Sequence, residues 1–295
     1  MSHPASDIVV TGAGLMCLGL LQAGVRVKQS VDLDKNSVRT MQMNPHYFNH
    51  RIVWDDVTQM MVLEQDQTDM QVFTYPCTKY STIGDIHGVR TGDDLFLHSF
   101  RHFAIRQPQM YVIENVPGMK KFKVVMEAMT KLPGYYVHVF CPLDASIWLP
   151  QSRPRLIIIG TKKPFPFSHP DAPVRKVRIK DILEKDPDIR VNKTVYSRIN
   201  GEYRDQPIIV DPDNPDSIAP TCVAHYAKDM GTRLVKDLRY PAGLRPFTIR
   251  EYARLQGLPD DFILPQKNYA YKQIGNGVAV PVARWIGEQA MRYFN

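Results

Sequence analysis

The chain has 295 residues, 44% of them apolar and 10% aromatic, which excludes general disorder and fits one large domain or a main domain with a smaller companion. Lysine and arginine total 37 against 30 acidic residues, and the net +7 suits a polyanionic partner without requiring one. No run approaches the ~18 apolar residues of a spanning helix and Met1-Ser2-His3-Pro4-Ala5-Ser6-Asp7 lacks a signal-peptide core, so no membrane association and a cytosolic location are expected.

In chain order, Asp7-Ile8-Val9-Val10 reads as a buried strand and Met16 to Gln22 as an apolar helix, the opening of a βαβ pattern. Further strands are expected at Val27 to Val31, Gln71 to Tyr75, Met110 to Ile113, Tyr136 to Phe140 and Leu156 to Ile159, giving a mostly parallel sheet with flanking helices. After Lys162 the texture changes: nine prolines fall between Pro164 and Pro220, and periodic apolar sequence becomes scarce. That marks a separate, loop-rich module. Helical patterning returns at Thr248 to Gln256, with Glu251 three residues after Thr248 as a capping box, and at Val280 to Tyr293, a helix expected to rejoin the first domain. Four cysteines, Cys17, Cys77, Cys141 and Cys222, stand far apart without a C-x-x-C pair or clustered histidines. Neither a disulfide framework nor a metal site is expected, and such thiols are ordinarily small buried apolar groups.

Several turns carry residues suited to chemistry. Thr11-Gly12-Ala13-Gly14 follows the first strand, where glycines let the backbone approach a nucleotide-like ligand; a plain tight βα turn is the alternative. Asp32 lies about 20 residues beyond those glycines, at ribose-binding spacing. Trp54-Asp55-Asp56-Val57 could present a carboxylate and an apolar side chain to an adenine ring, or form a solvated turn. Cys77 follows Pro76 at a strand end, where ligands bind in parallel sheets, and the loop beyond contains Gly84, Gly88 and Gly92. Ile113-Glu114-Asn115 delivers a carboxylate to the same edge; either it braces a loop or, held among apolar strands, it has a raised pKa suited to proton donation. Gln151-Ser152-Arg153-Pro154-Arg155 sets two guanidiniums on alternate positions before another strand.

Taken together, these pieces resemble the cytosine-C5 DNA methyltransferases. Thr11-Gly12-Ala13-Gly14 with Gly19 to Gly24 is similar to that family's first motif, Pro76-Cys77 to its Pro-Cys, Glu114-Asn115-Val116 to its Glu-Asn-Val, and Gln151 to Arg155 to its Gln-x-Arg-x-Arg. Arg250 to Phe262 and Gln273-Ile274-Gly275-Asn276-Gly277-Val278 extend the likeness to the C-terminus. The resemblance implies an α/β fold: a Rossmann-like, mostly parallel methyltransferase domain over residues 1–162, completed by 263–295, and a smaller loop-rich target-recognition domain over 163–262.

It also implies a reaction. Methyl transfer from S-adenosylmethionine to C5 of a flipped-out cytosine, leaving S-adenosylhomocysteine, would proceed through a covalent adduct of Cys77 with C6, with Glu114 at N3, Arg155 at O2 and Arg153 bracing the loop or a phosphate. Cofactor contacts would come from Val10, Gly12, Ala13, Leu15, Asp32, Asp56, Val57, Leu95, Asn276 and Gly277. Substrate contacts would come from Pro76, Ser81, Asn115, Gln151, Arg175 and Lys176, with the loop from Ser81 to Gly92 closing over the base; Arg175 to Lys180 is either a phosphate contact or a solvated strand face. Double-stranded DNA is the expected partner of a monomer in a bacterial or phage-infected cytosol. Departures are Val10 for the usual aromatic, Leu15 in the second glycine pair, Thr78 for the glutamine after the cysteine, and Lys79 for a small residue. RNA as substrate and a catalytically inactive DNA-binding member are the alternatives.

Overall fold

The central strands of the larger unit have both faces covered, so that even their polar residues, Ser6, Asp7, Gln71, Glu114 and Asn115, are buried. Of β1 (Ala5–Val9), β4 (Met70–Phe73) and β5 (Met110–Asn115), every residue is buried. In the computed structural model, which describes residues 3–64, 66–76, 95–201, 204–205, 207–240 and 242–295, they form the middle of a seven-stranded sheet. The order is β3 (Arg51–Trp54), β2 (Arg26–Asp32), β1, β4, β5, β7 (Pro154–Thr161), β6 (Tyr136–Asp144). Neighbours from β3 to β5 are parallel, and β7 runs antiparallel to both β5 and β6. This is the expected mixed α/β sheet. The edge strand β3 is an addition: only its following turn stood out in the sequence.

Helices α1 (Leu15–Gln22), α2 (Lys35–Gln42), α3 (Leu95–Arg106) and α4 (Lys123–Thr130) accompany the sheet. The crossovers place β2 and β3 on one side of β1 and β4 and β5 on the other, so the strand order reverses between β1 and β4. Parallel α/β sheets bind ligands at the carboxyl ends of strands flanking such a reversal. The C-terminal helix of the chain, Val280–Phe294, lies against α1. A Cβ at Gly19 would stand 2.4 Å from Ala283 Cβ and 2.6 Å from the Val280 carbonyl, so the glycine permits nearly main-chain contact between the two helices.

The chain divides into two compact units: Met1–Asp144 with Pro154–Pro170 and Val278–Asn295, and Ala145–Arg153 with Asp171–Gly277. The second therefore also takes in residues 145–153 and 263–277, which the family resemblance assigns to the first domain, while 163–170 group with the first unit. Its regular structure is a small sheet, β10 (Leu244–Pro246), β9 (Arg233–Lys236), β8 (Ile208–Val210), with α5 (Ile179–Ile182), α6 (Lys193–Asn200), α7 (Ile249–Leu255) and α8 (Lys267–Asn276). Long irregular stretches accompany its prolines. The expected capping box opens α7: Glu251 N–H donates to Thr248 Oγ1 at 3.1 Å and Thr248 N–H to Glu251 Oε2 at 2.9 Å. Glu251 also takes a two-pronged ion pair from the fully buried Arg245, at 2.7 and 2.8 Å, so one carboxylate both starts the helix and neutralises a buried guanidinium. No helix among the described residues is long and apolar enough to cross a membrane.

Candidate active site

The turn after β1 is built from left-handed backbone. Val10, Gly12 and Gly14 have φ of 58°, 60° and 88°, and Gly14 is the N-cap of α1. A Cβ on Gly14 would meet Phe48 Cζ at 2.7 Å and Met41 Cγ at 2.9 Å, whereas one on Gly12 would meet nothing within 4 Å. The turn is thus packed from beneath at Gly14 and open at Gly12. Ala13 and Leu15 are each 1% exposed, their side chains serving the core. Val10 is half-buried.

Asp32, at the end of β2, ties this turn to the next one. Its Oδ2 accepts the Gly12 N–H at 2.7 Å and its Oδ1 the Asp34 N–H at 2.9 Å. After β3, Asp56 Oδ1 accepts the Thr58 N–H at 2.9 Å in a local turn, and Val57 is buried. Arg101 of α3 donates to the Val57 and Met60 carbonyls at 3.1 and 2.8 Å, which docks the helix carrying half-buried Leu95 against the Asp56–Val57 turn. Sequence reasoning missed Leu33, which is 61% exposed beside Asp32, and its neighbour Trp54, whose Nε1 donates to the Leu33 carbonyl at 2.9 Å. Lys35 Nζ lies 3.9 Å from the centroid of that indole ring. It also missed a polar chain beneath the turn: Cys17 Sγ is 3.0 Å from both Thr11 Oγ1 and Ser30 Oγ, and Ser30 Oγ is 2.6 Å from His50 Nε2. Burial pushes the Cys17 thiol up to about 11 and the His50 imidazole down to about 4, so both are neutral near pH 7. Cys17 and Cys222 are buried, as expected of structural thiols.

On the other side of the reversal, β4 ends at Phe73 and leads through Thr74 and Tyr75 to exposed Pro76. Cys77, Thr78, Lys79 and Ser81, with the rest of the expected closing loop, lie outside the described residues. Glu114, near the end of β5, forms an ion pair with Arg155 on antiparallel β7, Oε1 to Nε at 2.9 Å, with side chains 9% and 11% exposed. The guanidinium supplies the opposite charge that a nearly buried carboxylate needs. Glu114 is therefore not isolated among apolar strands, as its sequence context suggests. Asn115 is buried and engaged with main chain: Nδ2 donates to the Tyr75 carbonyl at 3.3 Å and Oδ1 accepts the Val116 N–H at 2.9 Å. It therefore braces the segment immediately before Pro76.

The remaining expected residues fall in the second unit. Arg153, 1% exposed, donates to three carbonyls, Cys222 at 3.0 Å, Gly275 at 2.8 Å and Gly277 at 2.7 Å. Gln151 is also buried, donating to the Leu255 carbonyl at 2.6 Å and accepting the Cys222 N–H at 2.8 Å. With Gln256, which donates to the Ile274 and Gly277 carbonyls at 2.7 and 3.0 Å, they hold the end of α8, where Asn276 is exposed and Gly277 caps the helix. Arg175 and Lys176 are exposed on an irregular segment, so the strand face considered for them does not form. Among the described residues, no group of three or more His, Cys, Asp or Glu side chains is arranged to hold a metal ion.

The sequence profile of the C-5 cytosine-specific DNA methylases matches residues 9–292. The chain belongs to this family. It is 29% identical to the type II methyltransferase M.Bsp6I of Bacillus sp. (strain RFL6), covering 94% of this chain and 95% of that one. It is 31% identical to M.NlaX of Neisseria lactamica, covering 94% and 93%. In fold, it is similar to the methyltransferase EhMeth of Entamoeba histolytica, with a TM-score of 0.82, 17% identity and complete coverage of both chains. The Rossmann-like methyltransferase fold and the family resemblance of the ordered motifs are both borne out. As a C-5 cytosine-specific DNA methylase, the protein has its Glu-Asn-Val motif at the carboxyl end of β5 and its first motif at the carboxyl end of β1, on the two sides of the strand reversal.

Proposed function

We propose that the protein transfers a methyl group from S-adenosylmethionine to C5 of cytosine in double-stranded DNA, as a monomeric modification enzyme of the bacterial or phage-infected cytosol. The observation that carries the proposal beyond family membership is the buried Glu114–Arg155 pair at the sheet edge beside the strand leading to Pro76 and Cys77. The open face of Gly12 and the Asp32 carboxylate suit a nucleoside cofactor: the glycine leaves space for close approach, and the carboxylate can accept from ribose hydroxyls. Asp56 and Val57 are the proposed adenine contacts, with Val10 and the Ala13, Leu15 backbone toward the methionine end. Leu95, Asn276 and Gly277 are assigned to the cofactor by family order. Bound there, S-adenosylmethionine supplies an electrophilic methyl group on a sulfonium.

The chain's own residues make C5 able to take it. The Cys77 thiolate adds to C6, forming a C–S bond and moving the ring's electron pair toward C5, while Glu114, having taken up a proton from solvent, holds it at N3 and the Arg155 guanidinium stabilises charge on O2. Once C5 is methylated, its proton leaves to water and the C6–S bond breaks, returning the thiolate and the aromatic ring. Arg153, Gln151 and Asn115 are positioning residues in this scheme, because their polar groups are engaged with main chain. Residues 163–262 are the proposed target-recognition region, with Arg175 and Lys176 as phosphate contacts; Pro76 and Ser81 flank the cysteine on the substrate side.

The test is a trap. Incubation with S-adenosylmethionine and a 5-fluorocytosine-substituted DNA library should yield a covalent complex, because fluorine cannot leave as a cation, and Cys77→Ser should abolish it. An adduct on similarly substituted RNA but not on DNA would overturn the choice of substrate, and binding without an adduct on either would overturn the chemistry.

A further inference from the structure

The cofactor-facing turn contains a strained residue, and a side chain from the neighbouring strand is placed to hold it. Val10 is β-branched yet adopts φ of 58°, a conformation that a branched side chain disfavours and that persists only when surrounding bonds impose it. The Val9 carbonyl faces β4 as the parallel ladder requires, and the positive φ turns the Val10 carbonyl to the same side. Thr74 takes both: its N–H donates to the Val9 carbonyl at 3.3 Å and its hydroxyl to the Val10 carbonyl at 2.6 Å. On the opposite side of β1, the Thr11 N–H donates to the Val31 carbonyl at 3.1 Å. The peptide joining Val10 to Thr11 is therefore clamped at its oxygen by β4 and at its nitrogen by β2, and Gly12 follows directly.

We infer that Thr74 is a positioning residue for cofactor binding: its hydroxyl keeps the Val10–Thr11 peptide flipped and so holds Gly12 open for the ligand. The inference rests on the S-adenosylmethionine reading given above. The hydroxyl matters rather than the bulk, because valine would fill the same volume but leave the Val10 carbonyl without its side-chain donor. The strain matters too, since glycine at position 10 adopts the same φ freely and no longer needs the clamp.

Calorimetric titration of the cofactor-free protein with S-adenosylmethionine tests this, with hydrogen exchange at the Thr11 and Gly12 amides as an independent reading. Thr74→Val should weaken binding about tenfold and speed exchange at both amides, whereas Thr74→Ser should keep binding within about twofold of the unaltered protein. In a Val10→Gly background, Thr74→Val should cost less than about twofold. In turnover, the loss should fall on KM for the cofactor and leave KM for DNA unchanged. Equal binding and exchange in Thr74→Val and the unaltered protein would overturn the inference. So would an equal loss in Thr74→Ser, or an undiminished loss beside Val10→Gly, either of which would indicate general packing damage. If Thr74→Val fails to fold, the comparison of Thr74→Ser with Val10→Gly decides: a loss in Thr74→Ser that Val10→Gly does not relieve would overturn it. Absence of S-adenosylmethionine binding by the unaltered protein would overturn the cofactor reading, and this inference with it.

Discussion

Replacing Arg153 by alanine separates a structural guanidinium from one that acts on the substrate. The side chain is buried and donates to the Cys222, Gly275 and Gly277 carbonyls. Hydrogen bonds to a charged group are worth about 1.5–3 kcal/mol each, but three on one guanidinium are not additive, and alanine leaves three carbonyls to find new partners, so a local loss of about 4 kcal/mol is expected. Hydrogen-exchange mass spectrometry of peptides covering 219–224 and 271–279 reads this directly, since about 4 kcal/mol corresponds to roughly a thousandfold faster exchange through local opening. Arg153→Lys should recover only part of it, because an ammonium lacks the planar fork that reaches Gly275 and Gly277 together with Cys222. Unchanged protection in both peptides alongside a collapse of turnover would refute the reasoning and give Arg153 a role on the substrate.

Glu114→Gln keeps an oxygen for the Arg155 Nε but removes the transferable proton, so single-turnover methylation of DNA should slow by about 10²–10⁴-fold while calorimetric binding of S-adenosylmethionine is unchanged; slowing of less than tenfold would remove Glu114 from N3. Asp7 is raised from 3.8 to about 6 chiefly by burial, against the Thr68 hydroxyl, Arg106 and Lys28, which lower it, and with Asp66, which raises it. The folded state therefore holds this proton more tightly than the unfolded chain, and its contribution to stability, complete below pH 3.8, is lost as pH rises through about 6, an effect of about 3 kcal/mol. Asp7→Asn is neutral throughout, so its unfolding free energy relative to the unaltered protein should climb by that amount between pH 4 and 7 in urea titrations; a difference independent of pH would show that the carboxyl ionises freely in the fold.

What the sequence made legible follows from how each element is buried. β1, β4 and β5 are covered on both faces and contain the apolar stretches Ile8-Val9, Val72-Phe73 and Met110 to Ile113 that mark them as strands, and the Thr248–Glu251 capping box announces α7 by a local pair of hydrogen bonds. β3 has only four residues at the sheet edge, none of them buried, so it carries neither an apolar run nor a clean alternation. The division into units was obscured for a different reason. Residues 145–153 join the second unit through Gln151 and Arg153, whose partners lie 69 to 124 positions away, and no local periodicity encodes bonds of that length.

The same distinction separates what was readable in the candidate site. Residue types that chemistry demands, a cysteine after proline, a glutamate at a strand end, glycines in a βα turn, are visible in linear order because their function depends on identity. Side chains that instead bind main chain are not: Asn115 on the Tyr75 carbonyl, Arg153 on Gly275 and Gly277, and Thr74 on Val10 could each be taken for substrate contacts or overlooked altogether. Val10 shows why. A valine has little reason to occupy φ of 58° on its own account, so its strain signals a constraint imposed from neighbouring strands, and only the folded arrangement identifies Thr74 and Val31 as its source. The residues that set the shape of this site are therefore distributed over the carboxyl ends of β1, β2, β4 and β5, while the residues named by the motifs are the ones that shape is built to present.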